Sequence, residues 1–151
     1  MYKCRHFGIK ELVSKQVYEY FTKLYGESFC WRFFSEQELR DLDTIRDYHG
    51  QEIIINNWAS GGSFSQCGLR SNVDPLVKSK TTPYCSGHTL GKAFDLHSSD
   101  CHKLYKDVDY LMKNGKLKAL KRIESPVSTK YGWCHVDSLQ TLNGQIEYFK
   151  G

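Results

Sequence analysis

The stretch Ser86-Gly87-His88-Thr89-Leu90-Gly91-Lys92-Ala93-Phe94-Asp95-Leu96-His97 reads as a loop that turns into a strand. It places an imidazole at His88 and a carboxylate at Asp95, with Gly91 between them and a β-prone run from Ala93 to His97 at its end. Zinc takes nitrogen from His and oxygen from Asp, and a catalytic site needs three protein ligands with one position left open. Two of these are here. The third candidate is His135 in Gly132-Trp133-Cys134-His135-Val136-Asp137, where strand alternation puts His135 and Asp137 on one face and turns Cys134 to the other.

Together these stretches resemble the zinc D-Ala-D-Ala carboxypeptidases and the related bacteriophage peptidoglycan endopeptidases, a peptidase M15-like group that shares its fold with the hedgehog signalling domain. The matching positions are Ser86, His88, Gly91, Ala93, Asp95, Trp133, His135 and Asp137. Arg70, in Cys67-Gly68-Leu69-Arg70, stands where the group carries an upstream arginine. One departure is Gly132, because many members carry an acidic residue three positions before the last His.

The resemblance implies an α+β fold in which a small antiparallel sheet carries the zinc site, flanked by two or three helices. It implies a zinc metallopeptidase that hydrolyses D-amino-acid-containing stem peptides of peptidoglycan, as a carboxypeptidase or an endopeptidase, with Zn²⁺ held by His88, Asp95 and His135. Arg70 would bind the substrate carboxylate or the oxyanion, for which its fork of donors is suited. The general base is expected at Glu124, since hedgehog-like relatives place a Glu on the neighbouring strand of the same hairpin. Asp137 is the second candidate, or else it orients His135 from behind. A salt bridge to Arg122 or a nearby Lys is the competing role for Glu124. The alternative to an enzyme is a catalytically inactive zinc-bearing binding module of the same fold, which Gly132 favours and Arg70 and Glu124 oppose.

The 151 residues suit one domain, 1–151, with a helical part over about 8–50 and a metal-site core over about 51–138. A net charge of +4 is too small to name an anionic partner, and no base-reading motif points to nucleic acid. No apolar run reaches signal-peptide or bilayer-spanning length. The expectation is therefore cytoplasmic synthesis with no membrane insertion; a monomer is expected, and the resemblance implies action on the cell wall after release in phage lysis, as an endolysin or virion component. The six cysteines contain no Cys-x-x-Cys pair and read as reduced thiols.

Along the chain, Ile9, Leu12, Val13, Val17, Phe21 and Leu24 recur at helical spacing and predict one helix from Ile9 to about Tyr25. Ser35-Glu36-Gln37-Glu38 has capping-box spacing, and a second helix with Leu39, Leu42 and Ile45 inside should end at Gly50. Asp41, Asp43 and Asp47 on it read as a solvated face. Glu52 to Trp58 reads as a buried strand and Ala59 to Ser63 as a turn at the site rim. Ser71 to Tyr84 is a polar connection over the cleft. Ser99 or Asp100 caps a third helix with Leu104, Val108, Leu111 and Met112 inside. Leu117 to Glu124 and Gly132 to Asp137 form two strands joined by a turn around Pro126, and the tail near Ile146 and Phe149 forms a short strand. His97 shares strand parity with Asp95, which allows it to face the site, and reads first as a polar surface residue; Trp133 reads first as packing under the metal strand, with substrate contact as the alternative. His6, His49 and His102 have no partner pattern in the sequence.

Overall fold

The computed structural model describes residues 1–125 and 132–150, so the turn expected at Pro126 lies outside the described residues. The elements in chain order are α1 (Ile9–Leu12), α2 (Lys15–Tyr25), a 3₁₀ segment (Glu27–Phe33), α3 (Glu36–His49), a 3₁₀ turn (Trp58–Ser60) and α4 (Pro75–Lys78). There follow β1 (Ala93–Leu96), α5 (Cys101–Lys113), β2 (Arg122–Glu124), β3 (Cys134–Asp137), a 3₁₀ turn (Leu142–Gly144) and β4 (Glu147–Phe149). The class is α+β.

The sheet runs β1-β3-β2-β4. β3 pairs antiparallel with both β1 and β2, but β2 and β4 run parallel, so the sheet is mixed and not antiparallel as expected. The chain after Asp137 returns through the Leu142–Gly144 turn across the strand ends, and so enters β4 in the direction of β2. Alternation then separates two faces. Phe94, Leu96, Ile123, Cys134 and Val136 enter one hydrophobic cluster with Leu39, Leu42 and Ile45 of α3 and Leu104, Val108, Leu111 and Met112 of α5. Asp95, His135 and Asp137 occupy the other face.

α3 and α5 begin and end as their sequences require. Ser35 Oγ accepts from the Glu38 N–H while the Glu38 carboxylate accepts from the Ser35 N–H, and Gly50 closes the helix in the left-handed region at φ 71°. Asp100 caps α5 through Lys103 N–H.

The long first helix is broken. Ser14 caps α2 by accepting from Val17 N–H, and the extended Val13-Ser14 backbone forms a parallel bridge to Leu69. The helical spacing of the apolar residues persists across this break, because both pieces bury against the same core. Glu52 to Trp58 is likewise not a full strand. A single antiparallel bridge joins Ile54 to His97, after which Asn56 and Trp58 turn their side-chain N–H groups to the Val13 carbonyl, at 3.2 and 3.0 Å. Leu117 to Glu124 pairs only from Arg122 onward, since the N–H groups of Lys118, Ala119 and Leu120 all donate to Asp41.

The acidic residues of α3 depart from the expected solvated face. Asp41 and Asp43 are each 1% exposed, and of the three aspartates read as a solvated face Asp47 alone reaches the surface. Asp43 accepts from Tyr2 Oη and from the backbone N–H groups of Arg5 and His6, which fastens the amino-terminal segment to the helix. These carboxylates are buried because each meets several donors supplied by distant segments.

Candidate metal centre

The bridge at Leu69 fixes the segment that frames the site. Leu69 N–H donates to Leu12 O at 2.9 Å, and Ser14 N–H donates to Leu69 O at 2.9 Å. Gly68 is pressed against this break so closely that an added Cβ would stand 2.1 Å from Leu12 O. Only glycine fits there. The same Gly68 carbonyl accepts from His88 Nδ1 at 2.9 Å, and Arg70 N–H donates to His88 O at 3.2 Å. A carbonyl can only accept, so Nδ1 of His88 carries the proton and the Nε2 lone pair faces the cluster.

Nε2 of His88 lies 3.3 Å from Asp95 Oδ2, and Nδ1 of His135 lies 2.8 Å from Asp95 Oδ1. The strand register places Asp95 directly opposite His135. One ligand atom from each of His88, Asp95 and His135 falls within 4.8 Å of the others, a group able to hold a metal ion. The chemistry of the donors, two imidazoles and a carboxylate, fits zinc or a similar divalent ion. Cys134 is turned into the core and is 1% exposed, so it offers no sulfur to this face.

Burial alone would raise the Asp95 carboxyl, but hydrogen bonds from His135 and His88 outweigh it and hold the group well below the usual carboxylate range. Burial likewise opposes charge on His135, and the Asp137 and Asp95 carboxylates override it to about 9.

The structure separates the remaining expected residues. Arg70 sits beside the cluster, its guanidinium 3.2 Å from Asp95 Oδ2 and also donating to Gln66 O. Asp137 is 2% exposed and accepts from Arg122 at 3.3 Å and Leu139 N–H at 3.0 Å, while its Oδ2 lies 3.3 Å from His135 Nε2. It therefore braces His135 from behind. Arg122 pairs with Asp137 and Glu147, so the salt bridge weighed for Glu124 goes to other carboxylates. Glu124 ends β2, half-buried, two residues from Arg122 and thus on the same face, though it is not among the three grouped ligands.

Two clefts meet at Arg70. One of about 420 Å³ is lined by apolar residues including Phe21, Phe33, Leu69, Tyr84 and Leu90. The other, of about 570 Å³, reaches Asp95 and includes Phe64, Gln66, Leu76, His97 and Trp133. Ser63 at the rim and Leu76 of α4 line the second cleft, as expected of the flexible turn and the polar connection. Trp133 lines this cleft, the placement that substrate contact requires.

His97 is also a cleft residue, which its sequence context did not reveal. Phe64 stacks on it with centroids 3.9 Å apart, its Nδ1 donates to Gly132 O at 3.0 Å, and its Nε2 lies 3.3 Å from Cys67 Sγ. Burial pushes the Cys67 thiol up to about 12 and lowers His97, so the pair is a neutral thiol and a neutral imidazole. Such a thiol is no nucleophile. The only sequence signal for His97 was its parity with Asp95 on the strand.

All six cysteines are free, and no helix among the described residues is long and apolar enough to cross a membrane. Comparison of the chain with protein-family models, with curated proteins and with solved structures gives no match in any of the three.

Proposed function

We propose that the chain is a zinc-dependent peptidase acting on the D-amino-acid-containing stem peptides of peptidoglycan. The observation that carries the reading is the convergence of His88 Nε2, Asp95 and His135 Nδ1 beside Arg70, at the meeting of two clefts. Zinc held by these three residues supplies Lewis acidity toward a peptide carbonyl and toward water.

The protein's own side chains do the remainder. Gly68 O and Asp137 hold the two imidazoles in orientation. Arg70 faces the carbonyl oxygen or a terminal carboxylate of the bound peptide, with a charge fixed by Asp95. Glu124 takes the proton of the attacking water and returns it to the leaving amine, and Asp137, already engaged by Arg122 and Leu139, is the weaker candidate. The aromatic wall of Phe64, His97 and Trp133 excludes water from one side of the scissile bond. An open run of surface on both sides of Arg70 suits a peptide that continues past the cut.

The second reading, a zinc-bearing binding module without catalysis, is favoured by the saturation of Asp137. The discriminating experiment is digestion of purified peptidoglycan with fragments resolved by mass, for the wild type and His88→Ala, with metal content assayed in both. Fragments that disappear together with zinc support the peptidase. A wild type that binds zinc and releases nothing from any wall type supports the module.

A further inference from the structure

A second cluster has the connectivity of a nucleophile, a base and an orienting acid. His49, the last residue of α3, is 3% exposed. Its Nδ1 lies 2.7 Å from Asp107 Oδ2 on α5, and its Nε2 lies 2.8 Å from Ser98 Oγ, between β1 and α5. An ionised carboxylate only accepts, so Nδ1 carries the proton and Nε2 presents its lone pair to the Ser98 hydroxyl. Lys103 Nζ lies 2.6 Å from the same Asp107 Oδ2 and also donates to His49 O at 3.1 Å. The Asp100 N–H donates to Ser98 Oγ at 3.4 Å, which leaves the hydroxyl proton for His49.

A strut between two helices would need the same bonds, but it would not need its serine in the lining of a cavity. Ser98 is half-buried and lines a cleft of about 230 Å³ with Glu52, Ile54, Phe64, His97 and Gly132. That volume suits a short acyl group and is too small for a peptide. Ser98 also stands two residues before the Asp100 cap of α5, whose first turn carries N–H groups without partners inside the helix. Such donors are the kind that receive a developing oxyanion.

We propose that Ser98 is an acylatable nucleophile for small carboxylic esters, with His49 as its base and Asp107 as the positioning residue. The Ser98 Oγ–H bond breaks as Oγ bonds to the ester carbonyl carbon, and the proton passes to His49 Nε2. The ester C–O bond then breaks and the alcohol leaves with that proton. Water repeats the relay, releasing the acid and restoring Ser98. The proposal is independent of the metal centre, which lies on the other ligand set.

The test is labelling of the full-length chain with a fluorophosphonate, in which Oγ displaces fluoride from phosphorus, with the adduct mapped by mass. The expected result is one adduct on Ser98, formed equally with and without a zinc chelator and absent in Ser98→Ala. Folded His49→Gln should label at least ~100-fold more slowly. Asp107→Asn should slow labelling at least ~10-fold, with partial recovery in Asp107→Glu, a pattern that a purely structural tie would not give. The proposal is overturned by a folded wild type that stays unlabelled where a serine hydrolase control reacts. It is equally overturned by rates that do not change in folded Asp107→Asn, a variant that also serves if His49→Gln does not fold.

Discussion

Lys92 Nζ lies 2.9 Å from Glu38 Oε1, an ion pair that ties the residue before β1 to the first turn of α3. Ser138 Oγ, just past β3, donates to the same oxygen, and Ser35 N–H donates to Oε2. One carboxylate, 1% exposed, thus caps the helix and anchors both strands that carry Asp95 and His135. Burial would raise its pKa, but the bonds from Ser138, Lys92 and Ser35 outweigh burial and hold it below the ordinary value. A group depressed in the folded state contributes stability above its unfolded pKa of about 4.3 and loses it as pH falls through the folded value. Glu38→Gln should lower stability by about 2 kcal/mol at neutral pH, with a smaller difference from wild type below about pH 4. Urea melts across that pH range measure it.

Metal binding should stabilise the fold. At free zinc a hundredfold above the dissociation constant, linkage gives about 2.7 kcal/mol, or roughly 5–10 °C in melting temperature for a chain of this size. His88→Ala should abolish the shift while leaving a folded protein, as read by calorimetry with and without zinc. An identical shift in both would show that the ion binds elsewhere.

Gly68→Ala forces a methyl against the Leu12 carbonyl and pushes away the acceptor that orients His88. Two losses should appear together: about 3 kcal/mol of stability and roughly 10–100-fold in zinc affinity. Competition titration with a chromophoric chelator gives the second. Retained affinity in the variant would show that the Gly68 carbonyl does not orient the ligand.

Asp41→Ala should cost about 4 kcal/mol, because it leaves the buried N–H groups approaching β2 without their acceptor. Asp41→Asn should cost less, since one oxygen still accepts. Denaturant midpoints with unchanged slopes would register this order; equal midpoints for the two variants would contradict it.

For hydrolysis, Glu124→Gln is expected to lower the turnover number by at least ~100-fold with zinc content unchanged. Asp137→Asn is expected to act chiefly through His135, weakening zinc roughly 10–100-fold. Parallel assays of fragment release and metal content separate the two, and an intact rate in Glu124→Gln would remove it as the base.

What the sequence disclosed was mostly local chemistry. The Ser35–Glu38 cap, the Gly50 stop and the Asp100 cap all act within one helical turn, so their spacing is visible in the chain. That His135 and Asp137 share a strand face was legible because strand parity is local too, whereas grouping His135 with His88 and Asp95 rested on the resemblance, and the β1–β3 register that sets Asp95 opposite His135 was not legible. Asp41 and Asp43 were misread because their partners lie elsewhere: Asp41 meets N–H groups 77 to 79 residues away, and no feature of α3 announces them. The break at Ser14 hid for a similar reason, since the residue that replaces the helical bond is Leu69. His49 gave no sign because Ser98 and Asp107 reach it from another helix and its approach. The parallel β2–β4 contact depends on how a nine-residue connection crosses the sheet, which spacing does not encode.

The strand order has a consequence for synthesis. β2 sits between β3 and β4, and Phe149 of β4 rests edge-on against His135 at 5.4 Å. A ribosome has released His88 and Asp95 long before it releases the strand that walls His135. During translation His88 and Asp95 therefore wait for His135, and the His135 ring waits in turn for Phe149. A chain stalled before that point would carry all three candidate ligand residues and lack the ring that walls His135, so the last strand settles the surroundings of this cluster after its members are made.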